Sequence, residues 1–169
     1  MPGLRPVSGR GYFVTRLLRE VTEALIKTVG AERVGVRLSP NGDSQGVDDS
    51  NQDALFPAAA AVLDALGIAF LELREPGPDG TFGKSDRPPV APLIRKAFKG
   101  ALVLNADYDF ARGQAALASG AADAITYGRK FLANPDLPHR FAKDIPLNVD
   151  DPKTWYSQGP EGYITYPAA

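Results

Sequence analysis

The sequence predicts an α/β fold on a parallel sheet, and three observations carry that expectation. Amphipathic helical stretches alternate strictly with short apolar runs rich in Val, Ile and Leu. Glycines close the helical stretches, at Gly30, Gly67, Gly100 and Gly120. The strand runs hold few alternating polar positions, the pattern of strands covered on both faces. Helices between consecutive strands mean parallel pairing through right-handed crossovers.

Each element has its own signal. From Thr15 to Val29, the residues Leu17, Leu18, Val21, Leu25 and Val29 recur at helical spacing, and Gly30 stops the helix. Arg33 to Ser39 reads as the first strand, followed by a polar loop from Pro40 to Asn51 dense in Asn, Gly, Asp and Ser. Ala54 to Leu66 is the second helix, and Ile68 to Leu73 the second strand, with Glu72 inside it. A long Gly/Pro loop, Glu75 to Pro89, leads to a third helix, Leu93 to Phe98, and a third strand, Ala101 to Asn105. Phe110 to Ser119 is the fourth helix, Ala124 to Tyr127 the fourth strand, and a terminal helix follows. An open doubly wound sheet and part of a (β/α)8 barrel both fit this order. No Gly-x-Gly-x-x-Gly follows the first strand, so the dinucleotide fingerprint is lacking. Gly77, Gly80 and Gly83 have no helix directly behind them and read as loop glycines.

Composition narrows the function classes. The chain has 169 residues, a formal net charge of −1, no cysteine and the single histidine His139. Interspersed acids and bases argue against nucleic acid or a membrane surface as partner. Disulfides, thiolate metal sites and multi-histidine metal sites are excluded. No apolar run approaches the ~20 residues of a bilayer span, and Met1 to Arg5 lacks the apolar core of a signal peptide. A soluble cytoplasmic protein is expected.

The strongest chemical signal is the strand Ala124–Tyr127 running into Gly128-Arg129. Glycine lets a backbone N–H approach a ligand, and arginine offers a permanent charge with fork geometry. At the C-terminal end of a parallel strand this pair suits a phosphate. The segment Ala133 to Leu137 then supplies a helix N-terminus with Asn134 or Asp136 as cap.

Three segments carry a family resemblance: Val34 to Pro40 (VGVRLSP), Tyr127 to Leu137 (YGRKFLANPDL) and Thr154 to Tyr163 (TWYSQGPEGY). In this order they resemble the Old Yellow Enzyme family, and within it the bacterial alkene and N-ethylmaleimide reductases, over residues 14–166. The resemblance implies a (β/α)8 barrel that binds FMN and reduces activated C=C bonds with NAD(P)H. Only the C-terminal half is matched, so the fold expected is a partial barrel holding the last four strands, with an aromatic C-terminal tail; a complete barrel takes about 250 residues. The expected organisation is an irregular lead-in over 1–13, a half-barrel with an FMN phosphate site over 14–137, and a tail over 138–169 packing near the barrel mouth. No counterpart is found for the family's substrate-anchoring His/Asn or His/His pair or for its proton-donating tyrosine, so no catalytic residue is assigned and full activity of this truncated half is not expected.

The resemblance also implies roles for single residues. Arg37 would face the flavin pyrimidine edge and favour the anionic reduced flavin; an ion pair with Glu72 is the alternative. Gly128 and Arg129 would hold the FMN phosphate, with the backbone N–H groups of Asn105, Ala106 and Asp107. The family often has glycine at this strand end, so Ala106-Asp107 is a departure, and an Asp107 carboxylate aimed at a phosphate would repel it. Tyr156, in the substrate pocket, and Trp155 would lie over the flavin's dimethylbenzene edge, or would merely pack the tail. His139 reads as a surface residue. Two further readings remain: a non-catalytic phosphate- or flavin-binding half-barrel, and a structural fragment that self-associates. Unpaired strand edges favour a partner in each case, either a second copy or a complementing N-terminal half.

Overall fold

The computed structural model describes residues 10–42 and 49–169. The chain forms two compact units, the first ending at Ile125 and the second running from Thr126 to Ala169. The expected lead-in falls outside the described residues as far as residue 9, and the helix already begins at Arg10.

The first unit comprises α1 (Arg10–Val29), a 3-10 turn (Ala31–Arg33), β1 (Gly35–Leu38), α2 (Gln52–Leu66), β2 (Phe70–Arg74), α3 (Ala91–Ala97), β3 (Ala101–Asn105), α4 (Phe110–Ala118) and β4 (Ala124–Ile125). The strands form one parallel sheet in the order β1-β2-β3-β4. β4 is shorter than expected. Its ladder with β3 ends at Leu104–Ile125, where β3 leaves extended geometry at Ala106, whose φ is 110°.

The core lies on one side of the sheet only. Leu71 and Leu73 of β2 and Leu102 and Leu104 of β3 are buried against Leu63 of α2 and Ile94 of α3. Alternate residues go to the other side, as the two-residue period of a strand requires. That side carries Gly35, Arg37, Phe70, Glu72, Ala101, Val103 and Asn105, and Gly35, Phe70 and Ala101 are exposed. The expectation of strands covered on both faces is therefore corrected: the sheet has a covered face and an open face. Gly35 is needed on the open face, because a Cβ there would run into the ring of Phe70, its neighbour in the register.

Helix α1 forms as its spacing predicts and turns a mixed face to the core. Its core-facing side is Thr15, Leu18, Thr22 and Ile26, with Thr15 and Thr22 buried and Leu18 and Ile26 packed on the core. Thr22 is tolerated there because its hydroxyl donates to the Leu18 carbonyl at 2.6 Å. Most of the apolar series read from the sequence, Leu17, Val21, Leu25 and Val29, lies on the exposed side.

The second unit holds α5 (Arg129–Ala133) and α6 (Leu137–Lys143), followed by turns. Asp136 occupies the N-cap position of α6 but makes no side-chain cap bond. Its carboxylate accepts instead from Arg140 Nε at 2.8 Å and from the Ala169 backbone N–H at 2.8 Å. Asn134 is fully buried and accepts from the Asn148 N–H at 2.7 Å, while the Asn148 amide donates to the carbonyls of Ala133 and Pro167. Arg140 is buried and donates to the carbonyls of Pro146 and Pro167. The residues expected to cap a helix thus tie the tail down, which satisfies their polar groups in a region short of regular structure.

Candidate functional site

The open face gathers its polar groups at adjacent strands. Arg37 and Glu72 are register partners on β1 and β2. The guanidinium donates from Nε to Glu72 Oε2 at 2.9 Å and from Nη2 to Oε1 at 2.8 Å, a bidentate fork. Asn105, at the end of β3, donates from Nδ2 to the same Oε1 at 2.9 Å. Glu72 is buried, whereas half of the Arg37 side chain remains exposed. The structure thus gives Arg37 the Glu72 partner that the sequence left as an alternative. The pair places an oriented cation on an otherwise apolar surface, with its charge partly neutralised from below.

β3 ends in a special turn. Ala106 and Asp107 have φ values of 110° and 53°, both in the left-handed region that favours glycine. Non-glycine residues hold such a turn only where surrounding contacts fix it. Asp107 is engaged elsewhere: its carboxylate accepts from the Thr81 N–H at 2.9 Å and from the Thr81 hydroxyl at 2.8 Å, and its carbonyl accepts from Arg112 at 3.1 Å. The expected conflict between this carboxylate and a phosphate is eased by the clamp to Thr81. Nothing in the sequence pointed to Thr81, which lies 26 positions away in a Gly/Pro loop. Asn105, Ala106 and Asp107 also line a cleft of about 910 Å³, together with Glu75, Tyr108 and Arg112. Burial pushes the Tyr108 hydroxyl pKa up; the Arg112 charge opposes this and the Glu75 charge adds to it.

Glu75 fixes the wall of this cleft. Its carboxylate accepts from the N–H groups of Val90 and Ala91 at the start of α3, at 2.6 and 3.1 Å, and from the Asn41 amide at 2.8 Å. At the opposite end of β3, Asp123 accepts from the Leu102 N–H and from Arg95, each at 2.7 Å. These contacts, the Leu102 bond foremost, hold its carboxyl pKa below the ordinary value.

The other expected residues lie in the second unit. Gly128 is exposed and immediately precedes α5, with open space where a Cβ would sit. The Arg129 guanidinium lies 5.3 Å from the centre of the Trp155 ring, a cation–π contact that fixes the side chain's direction. Tyr127 packs edge-on against Phe141. Tyr156 is 86% exposed, so within this unit it is not a packing residue. His139 is exposed on α6. The Ala169 N–H, ahead of Arg140, holds the Asp136 carboxyl pKa below the ordinary value. Among the described residues no helix is long and apolar enough to cross a membrane.

Comparison with known proteins gives these features a family. The model of the NADH:flavin oxidoreductase / NADH oxidase family matches residues 12–148. A 12-oxophytodienoate reductase-like protein of Solanum lycopersicum is 41% identical over 153 residues, covering 90% of this chain and 40% of the relative. Putative 12-oxophytodienoate reductase 10 of Oryza sativa subsp. japonica is 39% identical over 159 residues, covering 90% and 50%. The chain therefore spans half the length of these curated relatives or less. Among solved structures, the old yellow enzyme homologue from Zymomonas mobilis is 52% identical with a TM-score of 0.91, covering 98% of this chain and 47% of that one. Morphinone reductase in complex with tetrahydroNAD is 36% identical with a TM-score of 0.85, covering 98% and 44%. The parallel sheet is accordingly part of a (β/α)8 barrel. FMN and a nicotinamide reductant are the cofactors of the group. With matching sequence and fold, the chain belongs to the NADH:flavin oxidoreductase / NADH oxidase family, the Old Yellow Enzyme family.

Proposed function

We propose that this chain is the FMN-holding part of an NAD(P)H-dependent reductase of activated alkenes, and that on its own it turns over little or no substrate. The observation that carries the reading is the bidentate Arg37–Glu72 fork, joined by Asn105 at the end of β3, which orients a cation on the open face. An oriented guanidinium suits the electron-rich edge of a flavin ring, and by the family resemblance the backbone of Asn105, Ala106 and Asp107 meets the phosphate. Gly128 and Arg129, at the head of the second unit, are by the family resemblance further candidates for holding the phosphate. Arg37 holds its direction through Glu72. Tyr156 is presented to a substrate. FMN, when bound, supplies the hydride carrier between a reduced nicotinamide and the alkene.

Turnover is expected to be low because the resemblance gives no counterpart here for the pair that polarises the alkene's activating group or for the tyrosine that donates the second proton; positioning and electrostatic stabilisation of this kind are commonly worth several kcal/mol. A second copy or a complementing half-barrel would supply the rest of the flavin pocket, and the reading carries a cytoplasmic location. Purification of the full chain with its visible spectrum recorded, followed by assay with NADPH and N-ethylmaleimide, tests it. Substoichiometric yellow flavin without steady turnover is the expected result. Turnover at an ordinary enzymatic rate would overturn the claim of inactivity, and failure to take up any FMN would overturn the flavin assignment.

A further inference from the structure

We propose that Thr81, on the loop between β2 and α3, is a positioning residue for the cofactor phosphate: it holds the Asp107 carboxylate so that the turn ending β3 can receive an anion. The inference rests on the phosphate reading of that turn given above and adds the residue that makes the turn fit for it. Ala106 and Asp107 stand in the left-handed region without being glycine, so contacts from outside the turn must fix them. Such contacts come from two sides. Thr81 donates to one oxygen of the Asp107 carboxylate from its N–H at 2.9 Å and to the other from its hydroxyl at 2.8 Å. Arg112 donates to the Asp107 carbonyl at 3.1 Å, and its guanidinium lies 5.2 Å from the centre of the Tyr108 ring.

The loop has its own anchors besides Asp107. Arg74, the last residue of β2 and the register partner of Asn105, donates to the Phe82 carbonyl and lies 5.8 Å from the centre of the Phe82 ring. The Glu75 N–H donates to the Asn105 carbonyl at 3.4 Å, and the Gly77 carbonyl accepts from the N–H groups of Gly80 and Ser85 at 3.1 and 3.2 Å. Gly80 and Gly83 close the tip around Thr81-Phe82: a Cβ on Gly80 would run into the Gly83 carbonyl. A tip anchored in this way presents the two Thr81 donors in a fixed direction, so little ordering is lost when they engage Asp107. The consequence for the site is electrostatic. Asp107 carries both a backbone N–H assigned to the phosphate and a carboxylate, and on one residue the two cannot lie far apart. A like charge beside an anion opposes its binding. With a donor on each oxygen, the carboxylate has a fixed direction and part of its charge is compensated.

The test is titration of the full chain and its variants with FMN and with riboflavin, read by flavin fluorescence as the ratio of the two affinities. Thr81→Val keeps the side chain's shape and the backbone N–H but removes the hydroxyl. It should lower the preference for FMN about fivefold and leave riboflavin binding unchanged. Thr81→Ser should keep the preference. Adding Asp107→Asn to Thr81→Val should restore it, because an amide carries no charge to repel a phosphate and asparagine tolerates a left-handed turn. Circular dichroism confirms that each variant folds. An unchanged preference in Thr81→Val, a parallel fall for both flavins, or no recovery in the double variant would overturn the proposal. A parent chain that binds the two flavins alike, or neither, would overturn the phosphate reading and this inference with it. A parent that prefers FMN, matched by Thr81→Val, would overturn this inference alone.

Discussion

The two faces of the sheet use the same strands for opposite purposes. On the covered face, Leu71, Leu73 and Leu102 are fully buried under the helices. On the open face, one residue along, stand Phe70, Glu72 and Val103, with Arg37 and Asn105 at the neighbouring strands. The covered face carries the stability of the first unit. The open face carries oriented charge and a strained turn, features that contribute to binding rather than folding.

The sharpest way to break this contrast is to truncate neighbours on opposite faces. Leu71→Ala should cost about 2–5 kcal/mol in urea unfolding, the range for a fully buried leucine. Phe70→Ala should cost much less, because the ring is partly exposed and faces away from the core. Equal losses would mean that the open face is also a core.

Next in size is Glu72→Ala. Removing the buried carboxylate leaves the Arg37 fork and the Asn105 amide without their acceptor, at a cost of about 1–3 kcal/mol. FMN binding should weaken as well, since Arg37 loses its direction. Glu72→Gln, which keeps an acceptor, should fall between. A variant as stable as the parent would show that the network is dispensable.

Ala106→Gly should act in the other direction. At a φ of 110° an alanine is strained, and glycine should raise stability by about 1 kcal/mol without loosening the turn. A destabilised variant would show that the left-handed geometry is not held in solution.

The smallest effect concerns pH. Asp123 and Asp136 have carboxyl pKa values lowered by hydrogen bonds to their ionised forms. Such groups contribute stability that is present above the ordinary carboxylate pKa, about 3.9, and is lost as pH falls through the lowered native value. Unfolding followed from pH 6 down to pH 2 should therefore show an acid-side decline, flatter in Asp136→Asn. An unchanged slope would remove Asp136 from the account.

The order of elements was legible because each helix carries its own period and stop, and because each strand run is apolar. The sidedness of α1 was not. Leu17, Val21, Leu25 and Val29 have the spacing of a core face, but Thr15 and Thr22 are the buried residues, and Thr22 is accommodated by bonding its hydroxyl to its own helix. The open face was missed for a related reason: Phe70 and Val103 keep their strands apolar on both sides, so hydrophobicity alone cannot show which side is covered. Of the candidate site, Arg37 stood out as a charge in an apolar strand, and Glu72 was found as its possible partner. The clamp of Asp107 to Thr81 joins two loops, and no local pattern encodes a contact across 26 residues.

In the proposed function FMN is held chiefly through its phosphate. Titration of the purified chain with FMN and with riboflavin, read by flavin fluorescence, tests it most directly. FMN should bind weakly but at least about tenfold more tightly than riboflavin, a difference of about 1.4 kcal/mol, and Arg129→Ala should erase the difference. Equal affinity for the two flavins, or a difference that survives Arg129→Ala, would contradict the account.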